Sequence, residues 1–384
     1  MQHVTILGAG YAGMLAALRL HKRARVTLIS RESSFNERIR LHQLAAGGAI
    51  PVRPIADMIR GTGIAFIHAT ATALDPATQM LTLIDGHGEQ SHHRYETLIY
   101  ALGSHIDRDS LAGVRDHAHT LDPRPDQPRG LAALTQIAAG GGRIVVIGGG
   151  LTGIEAASEL AAAHPNAQIA LISAHEIGAG VYERGRAHLR AAFARLGVTL
   201  VEKTRVRRLD AGMIATDDGG HIAADAILWA GAFAVPTLAR EAGIAVNARG
   251  QIAVDARLRS VSHPAIIAAG DSAAVGVRMA CASAMPMGAY AADAALGSDA
   301  PFAFGFIAQC ISLGRGDGLI QFVRGDDTPT DRIITGGAAA RFKEAICRFT
   351  TAALAMERRF PGVYLWRKTP LEQPAPWVQR EGIA

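Results

Sequence analysis

The chain has 384 residues, 49% of them hydrophobic and 19% charged, with a formal net charge of +5. That apolar content supplies a large core and excludes a disordered or collagen-like polypeptide; at roughly 150 residues per domain there is room for two or three domains. The basic excess is spread out, with no run of Lys and Arg to suggest a nucleic-acid partner, and three distant cysteines, Cys281, Cys310 and Cys347, provide neither a disulfide framework nor a zinc site.

The N-terminus enters a strand directly, His3 to Leu7, with no basic segment leading into an apolar stretch, so no secretory signal is expected. Val4–Leu20 reads VTILGAGYAGMLAALRL: a buried strand, a glycine-rich turn and a helix with small residues in its first turn. A second strand, Val26–Ser30, follows. Hairpin-like strands span Phe66–Asp85, turning at Asp85-Gly86-His87-Gly88, and Thr97–Ala101 is a further strand ending near Gly103. The stretch from Asp122 to Pro128 holds three prolines and reads as a linker. Ile144–Leu160, IVVIGGGLTGIEAASEL, then repeats the opening pattern, its first glycine, Gly148, lying 140 residues after Gly8. A gap of that size is a domain-scale duplication rather than a solenoid period. Strands are expected at Gln168–Ser173, Val198–Val206, Asp225–Ala230 and Ile266–Ala269, a helix at Ala289–Leu296, and a longer helix at Ala338–Phe360, before an irregular proline-bearing tail from Trp366 to Trp377. The longest apolar run, Ala226–Ala239, is broken by Pro236 and too short to span a bilayer.

Gly8, Gly10 and Gly13 form G-x-G-x-x-G between a strand and a helix. The first glycine permits the tight turn, the second lets backbone approach a pyrophosphate, and the third lets helix pack on strand, while the helix N-terminus offers amide donors. Gly148, Gly150 and Gly153 repeat the arrangement. One such motif is weak; two in the same context imply two dinucleotides.

These repeats, with Thr97-Leu-Ile-Tyr-Ala-Leu-Gly-Ser104 and Ile266-Ile-Ala-Ala-Gly-Asp-Ser272, resemble the two-dinucleotide-binding-domain flavoproteins of the pyridine nucleotide-disulfide oxidoreductase superfamily. The likeness is greatest to the branch of type II NADH dehydrogenases and apoptosis-inducing-factor-like proteins, and it covers roughly residues 1–300. The resemblance implies an α/β fold of two Rossmann-like domains. A discontinuous FAD-binding domain would take residues 1–107 and 257–300, an NAD(P)-binding domain 108–256, and a C-terminal α/β segment 301–384. It also implies FAD at the first repeat and NADH or NADPH at the second. For the FAD site it points to Gly8, Gly10, Tyr11, Ala12, Gly13, Ser30, Arg31, Arg38, Arg40, Ala71, Ala101, Gly103, Gly270 and Asp271, and to Pro286 and Met287 at the head of a helix aimed at the flavin. For the nicotinamide nucleotide it points to Gly148, Gly150, Thr152, Gly153, Glu155, Ser173, Ala230 and Gly231.

The strand ends that normally carry a ribose-binding carboxylate hold Ser30 and Ser173 instead. At the second site that loss removes discrimination against a 2′-phosphate; His175, Arg184 and Arg186 lie downstream either as phosphate contacts or as solvated surface, and the preference between NADH and NADPH stays open. Glu155 is a candidate for contact with the nicotinamide carboxamide or, more simply, a favourable charge near a helix N-terminus. His42 and Met287 are further catalytic candidates, one at the flavin, the other with Met285 in an apolar acceptor pocket; an ordinary structural His and core Met are the alternatives. No metal is expected: His92-His93 and His117/His119 lack companion ligands.

Residues 31–60 contain no Cys, where the superfamily's disulfide reductases keep a redox pair. The resemblance therefore implies hydride transfer from NAD(P)H to FAD and direct passage of electrons to a quinone-like acceptor. A flavin oxidase or monooxygenase acting on a specialised metabolite and a redox-sensing NAD(P)H-binding protein are the alternatives. The helix at Ala338–Phe360 mixes Arg341, Lys343, Arg348, Arg358 and Arg359 with Phe342, Ile346, Phe349 and Leu354, a pattern that suits either a membrane interface or packing against the core or a homodimer partner. The expected location is the cytoplasm, with peripheral contact at the inner face of the membrane as the finer alternative.

Overall fold

The computed structural model describes residues 1–122 and 130–371. Two parallel sheets organise it. The first has seven strands in the order Ile266–Ala268, Thr97–Tyr100, His3–Leu7, Arg25–Ser30, Ala65–Asp75, Met80–Asp85 and Gln90–Arg94. Its first five strands run parallel, in register Val4 to Val26 and Ile6 to Ile99, and the last two return antiparallel. The second has five parallel strands, Ala118–Thr120, Ala226–Trp229, Arg143–Ile147, Gln168–Ile172 and Thr199–Val201. The central strands are buried continuously, Val4–Leu7 and Ile144–Ile147, because each face of a parallel sheet is covered. The strand Ile266–Ala268 rejoins the first sheet long after the chain has left it, so the first domain is discontinuous.

The two halves meet where His105–Ile106 pairs antiparallel with Phe233–Ala234, marking the outward and return crossings. The return thus falls earlier than the expected boundary at 256: Leu238, Ala239, Ile244 and Ile252 already pack in the first core. The expected strand Val198–Val206 is two strands. Thr199–Val201 belongs to the parallel sheet and Val206–Asp210 to a three-stranded antiparallel sheet with Met213–Thr216 and His221–Ala223. Between them Lys203 takes a left-handed backbone, φ 55°, which a continuing strand cannot contain.

A third difference, the first in a helix, lies at Pro286. The helix expected from Ala289 begins at Cys281 and runs to Ala295. Pro286 is therefore inside it, not at its first turn, and leaves the carbonyl one turn earlier without its helical donor. The C-terminal segment forms an antiparallel sheet, Ala308–Ser312, Gly318–Val323 and Pro329–Thr335, followed by the helix Gly336–Arg359. This helix packs on its own sheet and on the first helix, Tyr11–Leu20. Trp366–Leu371 has no regular structure; the rest of the expected tail, and the proline-rich linker beyond Asp122, lie outside the described residues.

Candidate active site

The glycine turns shape the site first. Gly8 and Gly148 have φ of 105° and 123°, and a Cβ on either would sit 2.3 Å and 2.6 Å from the carbonyl oxygens of Ala101 and Ala230. Gly13 and Gly153 have no room at all: a Cβ would fall 1.8 Å from the carbonyl oxygen of Gly8 or Gly148. Gly10 and Gly150, by contrast, face open space. They precede helices Tyr11–Leu20 and Leu151–Ala163, neither of which has a side-chain cap. Each turn thus presents uncapped amides and the positive helix end to a gap that side chains leave clear, the arrangement that suits a pyrophosphate.

Both turns open on one continuous cavity of about 1860 Å³, which extends into the C-terminal segment. That exceeds the roughly 300–1,000 Å³ of a site for one small ligand. Every position predicted from the sequence lines it except Gly13, Arg40, Gly153, Arg184 and Met287. The two glycines serve by letting helix meet strand. Met287 is a correction: it is 2% exposed in the first core, while Met285 faces the cavity. A helix that starts at Cys281 rotates the two methionines to different sides. Arg40 is a second correction. Its guanidinium donates to both carboxylate oxygens of Glu344, at 2.8 and 2.9 Å, and to Glu37 at 3.2 Å, so it fastens its segment to the C-terminal helix rather than facing a phosphate. Arg38 does reach the cavity wall, donating to the carbonyl of Ser104 at 2.8 Å. Ser104 in turn donates to Asp271 at 2.6 Å.

Glu155 lies where two helices and a strand converge. Its Oε1 is 2.9 Å from Lys343 Nζ and accepts the Ser312 amide at 2.9 Å; its Oε2 is 3.7 Å from His42 Nδ1. Burial pushes the carboxyl up, but Lys343, His42 and the amide outweigh it and hold it below the ordinary range. One turn on, Glu159 is raised by burial, although Arg315 and Ser312 counter it. His42 stands between them, with Nε2 3.9 Å from Glu159 and no hydrogen-bond partner. Burial pushes its pKa down to about 4 despite Glu155, with Lys343, Arg315 and Arg40 adding to the fall. The ring is neutral at physiological pH. Sequence reading named Glu155 and His42 but missed Lys343 and Glu159; a buried Lys facing a buried Glu is visible only once the C-terminal helix is docked.

Beyond this cluster the cavity becomes apolar. Phe304 and Phe306 meet edge to face at 4.8 Å, and Arg278 lies 4.8 Å over Phe306 while its Nε donates to buried Asp327 at 2.6 Å. Phe342, Ile346 and Phe349 share one face of the C-terminal helix and line the same cavity; the two phenylalanines are 44% and 48% exposed, so the cavity opens to the surface there. Cys281 and Cys310 also line it, which their sequence positions did not suggest. All three cysteines are free. Burial raises the thiols of both lining residues, that of Cys310 to about 11, so they are protonated at neutral pH.

The profile of the family described as pyridine nucleotide-disulphide oxidoreductase matches residues 2–292. A protein named NADH dehydrogenase-like from Mycobacterium tuberculosis is 28% identical over 329 residues, covering 76% of this chain and 79% of that one. Demethylphylloquinone reductase from Synechocystis is 26% identical over 288 residues, 70% of this chain and 71% of the relative. Among solved structures, NDH2 from Plasmodium falciparum superposes with a TM-score of 0.78 at 15% identity, covering 94% of this chain and 99% of that one. Two glycine turns opening on one cavity, in sheets that superpose along nearly the whole chain, agree with the family profile: the chain belongs to the pyridine nucleotide-disulphide oxidoreductase family.

Proposed function

We propose that this chain, an FAD-dependent NAD(P)H oxidoreductase of the type II NADH dehydrogenase-like branch, delivers its electrons to a lipophilic quinone in the apolar lobe. The residues present fit the two nucleotides: clear space and uncapped helix amides over Gly10 and Gly150, with Asp271 and Arg38 placed along the wall of the first site. Bound there, FAD supplies the chemistry, taking a hydride from a nicotinamide and releasing electrons to an acceptor. The chain's own part is to bind, orient and shield. The close approach at Gly8 and Gly148 fixes each turn, Glu155 and Lys343 form a neutralised polar wall, and the phenylalanines exclude water.

The observation that carries the acceptor is the apolar lobe with its half-exposed mouth at Phe342 and Phe349. Its two lining cysteines are free and protonated. No helix among the described residues is long and apolar enough to cross a membrane. The mouth instead suits peripheral contact, since Arg341 and Arg348 adjoin Phe342 and Phe349 on the same helix. The test is F349E in flavin-loaded protein. Removing one buried-on-binding phenyl ring raises the KM for a long-tailed quinone about 10-fold or more and lowers retention on anionic vesicles, while ferricyanide reduction persists. Unchanged quinone kinetics would refute the lobe as acceptor site.

A further inference from the structure

We infer that the second dinucleotide site selects the 2′-phosphorylated nucleotide, NADPH, over NADH, and that Arg186 is the residue that decides it. This rests on the reading of that site as a nicotinamide-nucleotide site and adds which nucleotide it takes.

A carboxylate at the end of the second strand would accept the ribose hydroxyls and repel a 2′-phosphate. Ser173 stands there, and its Oγ already accepts the His175 amide at 3.3 Å. The first carboxylate beyond it, Glu176, does line the cavity, but cations surround it: Lys203 Nζ at 3.0 Å, Arg186 Nη1 at 3.7 Å and Arg190 Nη2 at 4.0 Å. The other carboxylate in the group, Glu202, does not line the cavity. It pairs with Arg190 and accepts the Ile177 amide at 2.8 Å. Three cations and two carboxylates leave the group one positive charge in excess. Of the cations only Arg186 lines the cavity.

The first dinucleotide site provides the internal contrast. There Arg31 and Glu32 pair one to one at 3.1 Å, with no excess charge. At the second site Arg186 lies beyond hydrogen-bond distance of Glu176, while Lys203 stays within it. The guanidinium is able to turn to a phosphate without leaving the carboxylate unpaired. A planar fork suits a phosphate's oxygens, and a charge-assisted pair of bonds exceeds what a ribose hydroxyl returns.

The test needs no turnover. Flavin-loaded protein is titrated calorimetrically with ADP-ribose and with 2′-phospho-ADP-ribose at low salt. The phosphorylated ligand binds about 10-fold tighter or more, and the margin narrows as salt rises. R186Q brings the two ligands to within about twofold of each other, R186K keeps part of the margin, and E176Q widens it. Arg186 is partly exposed, so flavin content and thermal midpoint of these variants report folding separately. Equal or tighter binding of ADP-ribose by the wild type overturns the inference, as does a margin that survives in R186Q. If neither ligand binds to protein that keeps its flavin, the site is not a nucleotide site, and the inference falls with that reading.

Discussion

The two glycine-turn helices, Tyr11–Leu20 and Leu151–Ala163, start from the same backbone and diverge within two turns. At the position where the first has Leu15 the second has Glu155, and where the first has Arg19 the second has Glu159. The first helix is buried along its whole length, with Arg19 joined to Asp293 at 3.0 Å and to Glu357 at 3.3 Å. The second turns Glu155 toward the cavity and Lys343, and pairs Glu159 with Arg315. One C-terminal helix meets both, through Glu357 and Lys343, which at 1.5 Å per residue lie about 21 Å apart along it. A shared motif therefore gives both turns the same backbone geometry, while the partners of the helix beyond the motif set the surroundings of each.

The largest effect expected from breaking the comparison comes from the paired variants G13A and G153A. In each a methyl group would fall on a backbone carbonyl that cannot move alone. G13A yields protein without bound flavin; G153A yields yellow protein that NAD(P)H no longer reduces. Absorbance at the flavin bands and anaerobic titration separate the two. A G153A protein reduced as readily as the wild type would end the assignment of the two turns to two nucleotides.

The charged contacts to the C-terminal helix come next. K343M strands a buried Glu155, at a cost of about 3–5 kcal/mol, and E155Q in the same chain recovers much of it. R19M costs less, about 1.5–3 kcal/mol, because Glu357 keeps two amide donors, Gly362 and Tyr364 at 2.6 and 2.8 Å, where Glu155 keeps that of Ser312. Denaturant midpoints check both; equal losses would mean that the two contacts are not as different as their partners suggest.

A comparable effect, spread over pH, runs through the buried His42 beside the second helix. Its folded pKa, about 4, lies below its ordinary 6.5. The unfolded chain therefore takes up a proton first as pH falls. The contribution is fully present above about 6.5 and is lost progressively down to about 4, on the order of 3 kcal/mol in all. H42Q flattens that part of the stability profile. A profile as steep in H42Q as in the wild type would place the pH sensitivity elsewhere.

Much of the first helix's surroundings was legible because the strand, turn and helix lie within 18 consecutive residues, His3 to Leu20, and their glycines obey local steric rules. The Gly270-Asp271 strand end was legible for the same reason, through a short motif. Arg40 misled because its sequence position beside a nucleotide site says nothing of Glu344, more than 300 residues away. Met287 misled because a proline was taken to open a helix that in fact passes through it.

The amino-acid sequence alone determined the duplicated strand–turn–helix units, the absence of a dithiol near the first of them, and the Ser-for-carboxylate exchange at both strand ends. Each depends on residues close together in the chain, where covalent geometry limits the choices. The tertiary structure alone decided that Lys343 neutralises Glu155 and that the C-terminal phenylalanines line a cavity shared by both glycine turns. Those depend on groups brought together from distant parts of the chain, whose charges and burial take effect only when the layers pack.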